Sequence, residues 1–192
     1  AKIRSPKDAV RYGIGYLSED RKRYGLCLNL SVTDNTVLPS LEQLFRGPFV
    51  NDGKADRHAQ DYVEKIRTKT PNTRARVGSL SGGNQQKVVI GKWLNADPEI
   101  LIMDEPTRGI DVGASELVHH KMIELREQGA ATLLISADLT EIMEMSDSII
   151  VLQDGQICAY IPDVKAVTME ELGEYMLGIR KTVSYTHLTL PT

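Results

Sequence analysis

The sequence has few cysteines, few aromatic residues and no long apolar run. Only 2 of its 192 residues are cysteine and 5% are aromatic. Cys27 and Cys158 lie far apart without metal-ligand spacing, which predicts two reduced thiols. No apolar run approaches the roughly 20 residues that span a bilayer, and the opening residues do not predict a secretory leader. We therefore expect any membrane role to depend on a partner.

An excess of basic charge is also missing. The chain carries 23 lysines and arginines against 26 acidic residues, a net charge of −3. Proteins that neutralise the phosphates of DNA or RNA usually present a basic face, so this balance argues against general nucleic-acid binding. The short run Arg21–Arg23 does not alter that expectation, and we interpret it as a solvated loop. The composition is that of one ordinary globular domain.

The phosphate-binding loop G-x-x-x-x-G-K-[ST] is the most informative absence. The chain contains two Gly-Lys pairs, Gly53-Lys54 and Gly91-Lys92. Neither has a glycine five residues before it, and neither is followed by serine or threonine. The sequence therefore contains no cradle of its own for the β- and γ-phosphates of a nucleotide.

What the chain does contain is a Ser-Gly-Gly turn within Leu80–Lys87, of sequence LSGGNQQK. Adjacent glycines let the backbone approach a ligand closely, and residues Asn84–Ala96 are predicted to form a helix that begins there. This combination predicts an anion site at a helix N-terminus. A second stretch, Ile100–Asp104 followed by Glu105, predicts a buried strand that ends in two acids. Such strand ends hold a metal ion and polarise a water molecule in α/β sheets.

Strands and helices are predicted to alternate along the chain, which favours a largely parallel sheet with helices on its faces. Helix faces are indicated by apolar residues at helical spacing, with Gly129 placed to end the second helix. Further strands are predicted before and after these helices, with a hairpin turn near the end. The helix faces are Ala59, Tyr62, Val63 and Ile66, and Val118, Met122 and Leu125; the strands are Gly13–Leu17, a buried one at Ala131–Ser136, and Ser148–Leu152; short helices are predicted at Pro6–Val10, Leu139–Met145 and 170–177, and the hairpin turn is Asp154-Gly155.

Taken together, these segments resemble the ABC-transporter ATPase family. The signature motif of that family corresponds to Leu80–Lys87, its Walker B strand to Ile100–Asp104, the acid after it to Glu105, and its D-loop closes at Asp111. Within the family, LSGGNQQK and DEPTRGIDVGA are similar to the second ATPase half of bacterial monosaccharide importers. The resemblance covers the chain from about Ile3 to about residue 181.

The resemblance implies an α/β fold of the P-loop NTPase type: a mostly parallel sheet flanked by helices, with a helical signature subdomain inserted at about residues 30–97. It also implies that residues 1–181 are a partial ABC ATPase domain whose P-loop portion lies upstream. Residues 182–192 match nothing expected of the family, and we interpret them as a non-native or disordered tail.

The resemblance further implies that two ATPase halves sandwich each ATP, with the signature of one half facing the P-loop of the other. Ser81, Gly82 and Gly83, together with Asn84 and Gln85 at the helix start, would then bind the γ-phosphate of ATP held by the first half. Removing this clamp should weaken stabilisation of the transition state in trans.

The remaining implied site residues belong to the nucleotide site of this half. Asp104 would reach Mg²⁺, Glu105 would act as the catalytic residue that orients the attacking water, and Asp111 would lie at the interface between halves. Two positions depart from the family pattern. Glu19 stands where a glutamine is expected in the Q-loop, and Ala137 stands where the switch histidine is expected. These departures put turnover at this half's own site in doubt.

The resemblance implies ATP and Mg²⁺ as cofactors and an ATP hydrolase that energises import of a simple sugar. Its partners would be the other ATPase half, a membrane permease that docks near Ser18–Gly25, and indirectly a sugar-binding protein, with no nucleic acid. The location would be peripheral, on the cytoplasmic face of the bacterial plasma membrane. By itself, this segment is expected to be inactive because it lacks a P-loop.

Three alternatives remain open from the sequence. The cargo could be a nucleoside, since related importers share this signature and no residue here contacts cargo. The chain could instead be a catalytically inactive, regulatory ABC half; the missing P-loop and Ala137 favour this, whereas Asp104 and Glu105 argue against it. A DNA-repair or chromosome ATPase is disfavoured, because no long heptad-patterned insertion precedes Leu80.

Overall fold

The computed structural model describes residues 2–45 and 47–180, which fall into two units. The first unit ends at Ile135 and the second begins at Ser136. Residues 182–192, interpreted above as a tail, lie outside the described residues. No helix in the described part of the chain is long and apolar enough to cross a membrane.

The sheet of the first unit has three strands, all parallel, in the order β1 (Ile14–Leu17), β2 (Ile100–Asp104) and β3 (Ala131–Ile135). Parallel pairing needs a crossover between successive strands, and the helices between them supply it. Because all three strands run the same way, their carboxyl ends meet at one edge, where Leu17 pairs with Met103 and Asp104 with Ile135. The strands predicted at Gly13–Leu17 and Ile100–Asp104 and their parallel pairing are confirmed.

The prediction of a buried strand at Ala131–Ser136 is wrong. The strand forms, but it pairs only with β2 within the described residues, and Leu133 and Ile135 are about half exposed, at 53% and 47%. An apolar run indicates a strand, but it does not say whether both faces are covered. β2 also buries one face only: Leu101 and Met103 are each 1% exposed, whereas Ile100 is 41% exposed.

The first three helices of the first unit are short, and the three that follow have 13 to 16 residues. Side chains at the N-caps accept backbone amides, as Ser31 does for Asp34, Asn51 for Lys54 and Asp111 for Ala114. The helices are α1 (Pro6–Arg11), α2 (Val32–Val37), α3 (Leu41–Leu44), α4 (Asp52–Lys65), α5 (Gly82–Leu94) and α6 (Val112–Glu127), with a π-helical turn at Arg21–Gly25 and 3₁₀ turns at Leu38–Ser40 and Val77–Ser79.

Both predicted helix faces are turned inward. Val118, Met122 and Leu125 on α6 are all buried, and α6 ends at Glu127, just before Gly129 with its φ of 93°. On the predicted face of α4, Ala59 is fully buried and Ile66 forms the C-cap of the helix. The 3.6-residue period therefore located both helices and the sides that pack.

The second unit is a hairpin packed with two helices, α7 (Leu139–Met145) and α8 (Met169–Met176). Strands β4 (Ile149–Gln153) and β5 (Gln156–Ile161) pair antiparallel. The two residues of the turn, Asp154 and Gly155, both have positive φ, 48° and 75°, as a type I′ hairpin requires. The predicted hairpin is confirmed, and its apolar side packs with Leu172 of α8, which is 1% exposed.

Candidate nucleotide-binding site

Ser81 lies at the N-cap of α5 with its side chain exposed to solvent. Its hydroxyl does not cap the helix; it accepts a hydrogen bond from Nδ2 of Asn84 at 2.8 Å, while Oδ1 of Asn84 accepts from the Lys69 backbone amide at 2.8 Å. Asn84 therefore orients the hydroxyl and ties the helix start to the chain before the signature. The first amides of a 13-residue helix remain open to an anion beside Ser81.

Gly82 and Gly83 each lie close to another group, a flexible side chain at Gly82 and a backbone carbonyl at Gly83. A β-carbon on Gly82 would come within 2.6 Å of Nη2 of Arg21. A β-carbon on Gly83 would come within 3.2 Å of the carbonyl oxygen of Gly109. The start of α5 therefore lies between the π-helical turn on one side and the loop before Asp111 on the other.

The side chains of Gln85 and Gln86 are buried in α5, at 5% and 1% exposure. Nε2 of Gln85 donates to the carbonyls of Val77 and Leu80 at 3.3 and 3.1 Å, and Nε2 of Gln86 donates to the Pro106 carbonyl at 3.2 Å. The Gln85 amide is thus bonded to the loop before Ser81, and the nucleotide contact predicted for Gln85 stays a prediction. Its amide fixes the loop that precedes Ser81, so it positions the site from inside.

Two lysines of α5 are buried and each reaches a backbone carbonyl. Nζ of Lys87 donates to Oδ2 of Asp111 at 3.2 Å and to the Arg67 carbonyl at 3.3 Å. Nζ of Lys92 donates to the Gly25 carbonyl at 2.9 Å, and burial holds the pKa of Lys92 below its usual value. A buried ammonium needs such partners, so these contacts anchor α5 to its neighbours.

The two acids follow each other at the carboxyl end of β2. Asp104 is half-buried, and its Oδ2 accepts from the Tyr16 hydroxyl of β1 at 3.3 Å. Glu105 has a φ of 50°, in the left-handed region that non-glycine residues seldom adopt. Its amide still pairs with the Ile135 carbonyl at 2.9 Å, and its carbonyl accepts from the Arg108 amide at 3.2 Å. We call Glu105–Arg108 the acid turn.

Glu19 lies on the chain after β1, and its carboxylate forms an ion pair with Arg108 of the acid turn. Both side chains are more than half exposed, so the pair contributes little to stability. It does place Glu19 against the acid turn. Among the described residues, no hydrogen bond or ion pair joins Ser81 to Asp104.

Asp111 performs two tasks at the start of α6. Its Oδ1 accepts the Ala114 amide at 3.0 Å as an N-cap, and its Oδ2 accepts from Lys87. The Lys87 ammonium, and after it the Ala114 amide, hold the pKa of Asp111 below its usual value. Asp111 thereby links the signature helix to the helix after the acid turn.

The residues fit a magnesium ion held mainly by a nucleotide. The described residues contain no group of three or more His, Cys, Asp or Glu side chains that could hold a metal alone. Mg²⁺ in nucleotide sites is instead bound through one or two carboxylates plus substrate phosphates. Asp104 is half-buried at a strand end beside Glu105, so it could supply one such carboxylate.

Sequence reasoning missed Arg21, Gln86, Lys87 and Arg108 as members of this neighbourhood. The interpretation of Arg21–Arg23 as a solvated loop holds for Lys22 and Arg23, which are exposed, but is wrong for Arg21, which is half-buried against Gly82. One signal was available for Lys87: a lysine inside an apolar helix segment needs a buried partner. No signal in the sequence paired Arg21 with Gly82.

A family profile described as ABC transporter matches residues 2–108. The matched segment contains Glu19, the signature stretch and both acids; Asp111 lies just beyond it. This chain belongs to the ABC transporter family. It carries an ATP-binding domain of that family, homologous to sugar import ATP-binding proteins.

The similar curated proteins are importers' ATP-binding proteins. The chain is 48% identical over 160 residues to the Xylose import ATP-binding protein XylG of Thermoanaerobacter pseudethanolicus, covering 83% of this chain and 32% of that protein. It is 46% identical over 160 residues to the Ribose import ATP-binding protein RbsA of Geobacillus kaustophilus, again covering 83% of this chain and 32% of that protein. The chain therefore spans about a third of the length of these ABC relatives.

Solved structures of ATP-binding cassettes share the fold. A dimeric cassette in a post-hydrolysis state, bound to ADP and Pi, superimposes with a TM-score of 0.69 at 22% identity, covering 83% of this chain and 67% of that one. The ATP-binding subunit of an ABC transporter gives a TM-score of 0.70 at 20% identity, covering 90% and 71%. The predicted fold class, an ABC ATPase domain with a parallel sheet flanked by helices, is confirmed.

Proposed function

We propose that this chain is part of the second ATP-binding half of a bacterial monosaccharide importer, and that it supplies the signature clamp to ATP held by the first half. In this proposal the P-loop portion of the same domain lies upstream of residue 1. The activity is ATP hydrolysis coupled to import of a simple sugar. The xylose and ribose import proteins described above are the relatives that support this class of cargo.

The observation that carries the proposal is the state of Ser81. Its hydroxyl is exposed and oriented by Asn84 at the start of a long helix, while the rest of that helix is buried and anchored. Open amides and a hydroxyl at a fixed helix N-terminus form a preorganised donor set for a phosphate. Preorganised donors of this kind stabilise charge that develops on a transferred phosphoryl group without reorganising during the reaction.

In this proposal, the nucleotide site of this half contributes less to ATP hydrolysis than the nucleotide site of the first half. Asp104 would hold Mg²⁺ together with nucleotide phosphates, and Glu105 would orient the attacking water. When bound, the ion supplies a positive charge that neutralises the phosphates. Two departures weaken this site: Glu19 is held by Arg108, and Ala137 follows β3 where a histidine would reach the γ-phosphate. Asp111 would lie at the interface between the halves.

The proposed partners follow from the same assignment. The other ATPase half would face Ser81, and a membrane permease would dock near Ser18–Gly25, an exposed segment except for Ser18, Gly25 and the half-buried Arg21. A sugar-binding protein would act indirectly. The chain would therefore lie at the cytoplasmic face of the plasma membrane as a peripheral subunit.

The test is Ser81→Arg in the full-length polypeptide that carries this segment, measured as steady-state ATPase rate. The bulky cation would fill the space in which the phosphate binds, and we expect a loss of at least about 100-fold, the size seen when a preorganised donor is removed. Ser79→Arg is the matched control, because Ser79 is also exposed and lies two residues earlier. An unchanged rate in Ser81→Arg would rule out the clamp in trans.

A second candidate, a catalytically inactive regulatory half, is favoured by Ala137, which stands where the resemblance implies a histidine. It differs from the first in one measurable respect. An inactive half would leave the ATPase rate of the full-length protein unchanged when Ser81 and Glu105 are replaced together, whereas an energising half would not.

A further inference from the structure

Arg21 is in an unusual electrostatic position for an arginine. Its guanidinium lies against Gly82, the first residue of α5, so closely that a β-carbon there would come within 2.6 Å of Nη2. Its Nε is buried and has no hydrogen-bond partner. Within residues 2–45 and 47–180, no carboxylate forms an ion pair with it.

A cation at this place is unfavourable unless an anion is bound. The N-terminus of a helix carries the equivalent of about half a positive charge, so it repels a guanidinium. The buried Nε–H, which has no hydrogen-bond partner, adds a further cost. A phosphate that accepts hydrogen bonds from both the helix amides and the guanidinium would relieve both costs, and the planar fork of arginine suits phosphate oxygens.

Hydrogen bonds fix the backbone of the turn that carries Arg21. The amide of Arg21 donates to the Glu19 carbonyl at 3.1 Å, and the Asp20 carboxylate caps the turn through the Arg23 amide at 3.1 Å. At the other end of the turn, the Gly25 carbonyl accepts from Lys92 at 2.9 Å. The π-helical turn is thus fastened along α5, with Arg21 at the start of that helix.

We propose that Arg21 is a further nucleotide-contacting residue, whose guanidinium donates to the γ-phosphate that Ser81 and the first amides of α5 hold. This assignment rests on the proposed function. A side chain at Gly82 would have to displace the guanidinium from this place. The interaction is one of binding only, so no bond is made or broken by Arg21.

The assignment predicts a selective defect, because ADP lacks the γ-phosphate. In the full-length polypeptide purified without permease, Arg21→Gln should weaken binding of a non-hydrolysable ATP analogue by about 10- to 100-fold, the range of a charge-assisted hydrogen bond, and leave ADP affinity within about twofold. Arg21→Lys keeps the charge without the fork and should be intermediate. Arg57→Gln, which removes an exposed arginine of α4, is the matched control.

The outcomes separate this inference from the proposed function. Equal losses for the ATP analogue and ADP, or no loss for either, would overturn the role of Arg21. If Ser81→Arg abolishes hydrolysis while Arg21→Gln binds the analogue normally, only the Arg21 assignment is wrong. If Ser81→Arg is silent, the clamp is wrong, and the Arg21 assignment, which depends on the phosphate that Ser81 holds, is wrong with it. Should Arg21→Gln fail to fold, Arg21→Lys provides the same test.

Discussion

Helix α5, which carries the signature, and the acid turn, which carries Glu105, differ in how each is held. Nearly every residue of α5 from Gln85 onward is buried, and four of its polar side chains donate to neighbouring segments. The acid turn instead begins with a residue in the left-handed region and ends with an exposed ion pair. The first is rigid through burial, and the second is kept in shape against a local strain.

This difference agrees with the proposed division of labour. A clamp that acts on a partner's nucleotide must already be in position when the partner arrives, and burial with internal hydrogen bonds provides that. A strained acid at a strand end is typical of catalytic positions, and in our proposal the departures at Glu19 and Ala137 limit what this acid can do. The predictions below test the two regions against each other.

The largest effect on stability is expected at Gly83. In Gly83→Val, the β-carbon would press on the backbone carbonyl of Gly109, which cannot rotate away, so the free energy of unfolding should fall by about 1–3 kcal/mol. Chemical denaturation measures the loss. Gly53→Val, in the first turn of α4, is the matched control, because the nearest atom there is Oδ1 of Asn51 at 3.6 Å. Equal losses in both variants would mean that the contact between α5 and the Gly109 loop is unimportant.

The next effect is expected at the buried lysine. Lys87→Met removes the donor to Asp111 and to the Arg67 carbonyl, leaving both acceptors short of a partner, and should cost about 1–2 kcal/mol of unfolding free energy. Lys121→Met breaks a surface pair with Glu124 on α6 and should cost less than about 0.5 kcal/mol. If the two losses are alike by denaturation, Lys87 does not anchor α5.

At the acid turn, a substitution should increase the free energy of unfolding instead of lowering it. Glu105→Gly relieves the left-handed backbone, and we expect the free energy of unfolding to rise by up to about 1 kcal/mol while ATPase activity falls. Asp97→Gly is the control, because Asp97 has a similar φ of 48° and lies outside the site. It should gain stability without losing activity. A loss of stability in Glu105→Gly would contradict the account of a strained acid.

The smallest effect concerns pH and Asp111. Because Lys87 lowers the pKa of Asp111 in the folded state, the carboxylate contributes stability at pH values above its usual pKa of about 3.9. That contribution is lost as the pH falls through the lowered pKa. The stability advantage of the wild type over Asp111→Asn should therefore be constant near neutrality and shrink in acid. In a Lys87→Met background, this pH dependence should be much reduced; if it persists unchanged, Lys87 is not its main cause.

Much of this fold could be predicted from the spacing of apolar residues and from turn residues. The central strand Ile100–Asp104 and the buried face of α6 followed from apolar spacing, and the hairpin turn followed from Asp154-Gly155. Each of these depends on residues close together in sequence, where steric preference and the period of the side chains act directly. The bounds of these elements agree with the structure to within a few residues.

What could not be predicted depends on contacts between distant segments. The exposure of Leu133 and Ile135 depends on what covers β3, which an apolar run does not encode. The approach of Arg21 to Gly82 and the burial of Gln85 arise only when the turn after β1 packs on α5. The left-handed conformation of Glu105 is equally invisible, because glutamate does not signal a positive φ as glycine or asparagine does.

The central claim is that the signature of this chain matters more to hydrolysis than its own acid. The most direct test compares Ser81→Arg with Glu105→Gln in the same full-length protein, by steady-state ATPase rate at saturating MgATP. We predict that Ser81→Arg loses nearly all activity, whereas Glu105→Gln retains a substantial part. Complete loss in Glu105→Gln with activity preserved in Ser81→Arg would contradict the account.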